Sequence, residues 1–305
     1  NLGFEVNTGE IQRSAVLSFT QPYVTADGIS RTMEASSRTF NARLFGLGDY
    51  RLKSKAVGMR FGIPYTEVDR LSAGVVWEAN TILPGSGAIP QRYTDHIAEF
   101  GTESQDWLGV LGWARDSRDS ALTPTRGRLQ RVNVEITFPG QEVEYYKATY
   151  NHQWFYPLNK DYTLALNGMV GYGAGLGGKS YPVFKNFYAG GIGSVRAYGP
   201  GSLGPKDPVD GYATGGDSTL NLSAEFLFPL PGTGNDRSIR TFAFLDAGNV
   251  WDDARYDLGD LRYSTGVGIN WLSPIGPLKL SVGFPLNRRE GDKIQRVQFQ
   301  IGTGF

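Results

Sequence analysis

Residues 173–180 read Gly-Ala-Gly-Leu-Gly-Gly-Lys-Ser. The spacing matches G-x-x-x-x-G-K-[ST], and Gly173, Gly175 and Gly178 also match G-x-G-x-x-G. Both patterns cradle phosphate on backbone N–H groups at the start of a helix. That chemistry needs a helix directly after the loop. Tyr181-Pro182 follows instead, with Asn186 and Gly190-Gly191 close behind, so no helical run is available. The segment before it alternates, whereas the buried parallel strand of a nucleotide fold is almost continuously apolar. A flexible Gly-rich hairpin loop is expected here. Other chemistry is sparse. There is no Cys, and the two histidines, His96 and His152, leave little for a metal site. His152 falls on the apolar parity between Tyr150 and Trp154 and suits a membrane interface better than catalysis. Asp252, Asp253, Asp257 and Asp260 gather beside Arg255 as loop surface charge. The run from Arg115 to Ser120 suits a strand end and turn with local ion pairs. No Ser/His/Asp arrangement stands out, so the residues call for no enzyme, no metal and no cofactor.

The elements that carry these residues are β-strands. Of 305 residues, 41 are Gly and 13% are aromatic, which tilts the chain toward β structure. Thirty basic residues balance thirty acidic ones, against the basic surplus of a nucleic-acid binder. No apolar run approaches the ~20 residues of a membrane helix. The dominant period is two. In 129–138, Val132, Val134, Ile136 and Phe138 share one face, and Arg131, Asn133 and Glu135 take the other. Segments 162–172, 261–271 and 296–305 repeat the rhythm. In a strand, successive side chains face opposite ways, so each segment has one greasy and one wet face.

About fourteen such segments run from residue 2 to residue 305, with 183–191 the weakest and better read as loop. No amphipathic helix longer than two turns is expected. Connections alternate between tight ones (157–161, 273–277) and long Gly-rich ones (81–105, 192–218), as in transmembrane barrels. A soluble sandwich also alternates. Strands of about ten residues favour the barrel, because that length crosses a bilayer at a tilt. So do the aromatics Tyr23, Tyr65, Trp154, Tyr156, Trp251 and Trp271 at strand ends, where membrane girdles lie. The fold class expected is an all-β antiparallel transmembrane β-barrel.

Residues 186–205 then narrow the class. They read Asn-Phe-Tyr-Ala-Gly-Gly-Ile-Gly-Ser-Val-Arg-Ala-Tyr-Gly-Pro-Gly-Ser-Leu-Gly-Pro. This resembles the loop motif of the outer-membrane barrel-assembly and two-partner secretion superfamily, and of its outer-membrane protein assembly factors in particular. Colinear landmarks at 18–28, 171–179, 223–229, 246–252, 271–278 and 298–305 extend the resemblance over nearly the whole chain. The family motif is usually Val-Arg-Gly-Phe or Val-Arg-Gly-Tyr; here it is Val195-Arg196-Ala197-Tyr198. If that position takes a positive φ, Ala197 costs about 1 kcal/mol relative to Gly.

The resemblance implies a family barrel of sixteen strands preceded by periplasmic repeat domains. This chain then begins at the third strand, and 1–305 is the barrel domain without its first two strands or the upstream repeats. The implied function is insertion of other barrel proteins into a bacterial outer membrane, without covalent chemistry. The implied partners are unfolded outer-membrane clients, periplasmic accessory lipoproteins and outer-membrane lipid. A two-partner secretion or autotransport-assembly pore is the alternative within the superfamily, and a passive porin-like channel the alternative outside it. By the same resemblance, Arg196 enters the lumen and pairs with Glu225 and Asp246, while Gly190 and Gly191 shape the loop entry. Glu225 has inward parity, bracketed by Leu222, Ala224 and Phe226. Asp246 shares parity with Phe242 and Phe244, so either those rings point inward or a bulge near 245 shifts the register. In the last segment, Val297, Phe299, Ile301 and Phe305 face lipid. That strand serves either as lipid-facing packing with an assembly signal for the chain's own insertion, or as one side of a lateral seam that templates an incoming strand, which Gly302 and Gly304 would loosen.

Overall fold

A computed structural model describes residues 1–230, 232, 238–253, 255–274 and 276–302. Among these, fourteen strands form one antiparallel sheet in which each pairs with its neighbours in chain order. They are β1 (Leu2–Thr8), β2 (Gln12–Gln21), β3 (Ser30–Asn41), β4 (Tyr50–Pro64), β5 (Asp69–Pro84), β6 (Glu103–Asp116), β7 (Gly127–Thr137), β8 (Tyr145–Pro157), β9 (Thr163–Gly175), β11 (Ser218–Pro229), β12 (Ile239–Trp251), β13 (Arg262–Ser273), β14 (Gly276–Pro285) and β16 (Val297–Ile301). Two short strands, β10 (Ala197–Tyr198) and β15 (Ile294–Gln295), pair with each other instead.

The two faces sort as a membrane barrel requires. Apolar residues such as Val57, Leu111, Leu245 and Phe299 stand out on one face, whereas Asp246, Ser264 and Ser281 on the other are fully buried. That inverts a soluble protein, and lipid is the solvent that stabilises it. The buried apolar clusters lie inside the curved sheet. One joins Tyr50 and Ile82 of the wall to Tyr93 and Val183, and another joins Val250 to Phe187, Val195, Tyr198 and Leu203. The inner face is thus filled by the 176–217 loop, which supplies the apolar surface that the wall's polar lumen lacks.

Long connections (42–49, which holds the one-turn helix α1 (Ala42–Phe45), 85–102, 176–217, 252–261, 286–296) gather at one end. At the other lie 22–29, 65–68, 117–126 and 158–162. Several strands outrun their alternating stretch, β4 and β5 most of all, at 15 and 16 residues. The 85–102 connection holds a helix longer than two turns, α2 (Gln91–Phe100), against expectation. Its inner stripe is Tyr93, His96, Ile97 and Phe100, at i, i+3, i+4 and i+7, a helical period confined to ten residues of a long connection. Pro90 precedes the helix and Gly101, at φ 82°, ends it. Trp251 also departs from the girdle reading. Its parity is outward, but Tyr256 of the next loop packs over it and leaves it buried. The last strand is shorter than the 296–305 pattern, ending at Ile301; Gly304 and Phe305 lie outside the described residues.

Candidate functional site

The loop after β9 turns inward at Val183–Lys185, a single 3₁₀ turn, and reaches its motif by a tight reversal. Gly190 and Gly191 have φ of 103° and 96°, open to glycine. A Cβ on Gly190 would stand 2.3 Å from the Gly199 carbonyl oxygen, so no side chain fits. The reversal delivers Arg196 to the inner wall, where it is 2% exposed.

Arg196 is gripped from two strands. Its Nε and Nη2 donate to the two oxygens of Asp246 on β12 at 2.7 and 2.6 Å. Its Nη1 donates to Glu225 Oε1 on β11 at 2.5 Å, and Nη2 also to Ser223 Oγ at 2.9 Å. Its backbone N–H donates to Asp246 at 3.0 Å. The guanidinium lies over the Phe244 ring, 3.7 Å from its centre. Lys279 on β14 donates to Glu225 at 2.8 Å, so two buried acids face two cations. A fork matched to a carboxylate, with further donors satisfied, is the geometry in which a buried ion pair holds. The β11–β12 register runs unbroken from Ser218↔Trp251 to Pro229↔Arg240. No bulge intervenes. Phe242 and Phe244 point inward under the loop, the first of the two alternatives.

Ala197 adopts φ 70°, the left-handed region that glycine favours, and is fully buried. It begins β10, which pairs with β15: Ala197↔Gln295 and Tyr198↔Ile294. Gly199 N–H donates to the Lys293 carbonyl at 2.7 Å, and Gln298 Nε2 of β16 donates to the Tyr198 carbonyl at 2.7 Å. Tyr198 Oη donates to the Tyr263 carbonyl at 3.3 Å. The motif is therefore tied to the segment that leads into the last strand. On that strand Val297, Phe299 and Ile301 face outward and Gln298 faces the lumen. Gly302, at φ 89°, ends it, with its N–H on the Pro277 carbonyl.

A second grip was not legible in the motif. Lys185, at the root of the loop, donates to Glu78 of β5 at 3.0 Å and lies 3.6 Å from Glu135 of β7. Its own carbonyl accepts from Lys147 Nζ at 2.7 Å and Tyr181 Oη at 3.0 Å. Burial opposes its charge, yet Glu135, Tyr145 and Glu78 hold its pKa well above the ordinary lysine value. The only sequence signal was inward parity of Glu78 and Glu135, which needs a known partner to be useful. The loop thus spans the lumen between β5/β7 and β11/β12.

The remaining candidates are structural. Lys179 of the phosphate-loop pattern donates to the Gln141 carbonyl at 2.6 Å and to Glu144 at 3.1 Å, and a turn follows rather than a helix of several turns. Asp252 pairs with Arg92 of α2, not Arg255, and Asp257 caps the short turn at Gly259. Arg118 grips Asp116 at 2.8 and 2.9 Å, the local pair expected there. His152 keeps its outward parity, bonded to Tyr150 Oη at 2.9 Å.

A curved antiparallel sheet with an apolar exterior, and a loop clamped by ion pairs to its inner wall, defines an outer-membrane β-barrel with an occupied lumen. All 305 residues match the family model described as the Omp85 superfamily domain, and the chain belongs to that superfamily. It is 42% identical to the outer membrane protein assembly factor BamA of Neisseria meningitidis serogroup B over 95% of its length. It is 27% identical to the BamA of Nitratidesulfovibrio vulgaris over 96%. The chain spans 41% and 36% of those two proteins. The crystal structure of Haemophilus ducreyi BamA lacking POTRA domains 1–3 superposes with a TM-score of 0.89 and 26% identity, covering 98% of this chain and 63% of that one.

Proposed function

We propose that this barrel inserts and folds outer-membrane β-barrel proteins, without covalent chemistry. The observation that carries the proposal is the seat of the motif. Arg196 is clamped to β11 and β12, and the two residues after it form a ladder with the segment entering β16. Rigid bracing on one side of the last strand, with apolar lipid-facing residues on the other, suits a strand that works at an edge. An edge strand offers unpaired N–H and C=O groups to an incoming strand. Its partners would be unfolded outer-membrane protein clients, periplasmic accessory lipoproteins and outer-membrane lipid. The similarity to assembly factors over 95% of the chain supports this assignment.

Liposomes holding the chain should speed insertion of an unfolded test barrel over protein-free liposomes, and planar bilayers should show a plugged, flickering conductance. A steady large current without faster insertion would instead mark a passive channel. Export of a secreted passenger without faster insertion would mark a secretion pore.

A further inference from the structure

Four cations stand on the outer face at the long-loop end: Arg13 on β2 and Arg51, Lys53 and Lys55 on β4. Their parity is that of Leu17 and Val57, which face lipid, while Tyr50 and Leu52 turn to the lumenal cluster. The ladders place them in rows. One row reads Thr8, Arg13, Thr39, Lys53, Thr81, Glu103 across β1 to β6. The next reads Val6, Ala15, Ser37, Lys55, Ala79, Gln105, and the third is the apolar Phe4, Leu17, Ala35, Val57, Trp77, Trp107. The cations therefore sit at the edge of the hydrocarbon belt, one to three rows beyond a Trp77–Trp107 pair of the kind that marks a membrane interface.

All four are exposed, and none is paired with a carboxylate among the described residues. Asp49, two residues before Arg51, accepts from the Gly87 N–H; Glu103, two strands from Lys53, and Glu10, in the turn before Arg13, are the next acids along these rows. Along β4 the charges repeat every ~7 Å, and Arg13 lies about 10 Å from Lys53 across two ladders. Uncompensated cations beside hydrocarbon are costly unless an anion meets them, and long basic side chains reach toward such an anion at the interface.

We propose that this face binds the phosphorylated headgroup of a membrane lipid in the leaflet at the long-loop end. Its phosphates meet Arg51, Lys53, Lys55 and Arg13, the hydroxyls of Ser37, Thr39 and Thr81 donate between them, and its acyl chains lie along Val57, Trp77 and Trp107. Guanidinium forks and ammonium groups both suit phosphate oxygens. Binding here does not depend on the assembly activity.

The full chain in nonionic detergent, titrated with diphosphorylated lipid A, phosphatidic acid or phosphatidylcholine under native mass spectrometry, tests the site. The phosphate monoester lipids should bind at least about tenfold tighter than phosphatidylcholine, and Arg51→Gln/Lys53→Gln/Lys55→Gln should remove that preference. Lys53→Arg/Lys55→Arg should keep it, and millimolar inorganic phosphate should not displace the lipid. Equal retention by the triple variant, equal binding of all three lipids, or displacement by inorganic phosphate would overturn the proposal. Resistance to SDS before heating reports folding; should the triple variant fail it, Lys53→Gln and Lys55→Gln alone should each lose severalfold.

Discussion

The methyl group of Ala197 rests against Gly283 of β14: a Cβ built on Gly283 would stand 3.0 Å from it. The same Cβ would meet the Phe244 ring at 3.1 Å. The family's glycine is therefore replaced here by alanine at a place where the opposite wall offers a glycine. The backbone cost of φ 70° remains, but the packing cost does not.

Ala197→Gly should stabilise the loop by about 1 kcal/mol, by relieving the left-handed alanine. Gly283→Ala should destabilise it, and Ala197→Gly should largely rescue that variant. Thermal unfolding in detergent, followed by the loss of protease resistance of 192–218, reads both.

Arg196→Ala leaves Glu225 and Asp246 buried, with Lys279 paired to Glu225. The loss should be about 3–5 kcal/mol, far above the ~1 kcal/mol of a surface pair. Arg196→Lys should recover only part of it, because an ammonium cannot hold Asp246 through two donors and still reach Glu225. Limited proteolysis of 192–218 should rank the variants Ala, Lys, Arg in rising resistance.

Lys185→Met removes the cation between Glu78 and Glu135 and leaves two half-buried acids on the inner faces of β5 and β7, one strand apart. Its loop root should loosen, and Glu78→Gln/Glu135→Gln should restore much of the lost stability. A double-mutant cycle on thermal unfolding measures the coupling, which should be about 1–3 kcal/mol.

His96 lies between Phe100 and Phe184, and burial lowers its pKa to about 4 from 6.5, with Glu99 only partly offsetting. A lowered histidine binds fewer protons folded than unfolded. Stability of the α2 cap is therefore full above about pH 6.5 and is lost as the pH falls from there toward 4. Hydrogen exchange of 91–100 should quicken over that window, and His96→Phe should flatten the response.

The strands were legible because lipid outside and a wet lumen inside impose period two on nearly every segment, β7 and β13 most plainly. Arg196, Glu225 and Asp246 were legible through a resemblance, and parity alone placed only Glu225 well. Lys185 escaped because its partners lie 107 and 50 residues away, on strands that only the closed-up fold brings beside it. Helix α2 escaped because its stripe of Tyr93, His96, Ile97 and Phe100 covers only ten residues, between Pro90 and Gly101, inside a long connection. The Trp251 girdle failed because a loop folds over it, and loop paths are set by tertiary contacts.

The most direct test is the rate at which an unfolded test barrel enters liposomes that carry this chain, set against Arg196→Ala and protein-free liposomes. On the proposed function, the unaltered chain accelerates entry and the variant falls toward the protein-free rate while still resisting SDS before heating. An unaltered chain that gives no acceleration, or a folded Arg196→Ala variant that inserts as fast as the parent, would contradict it.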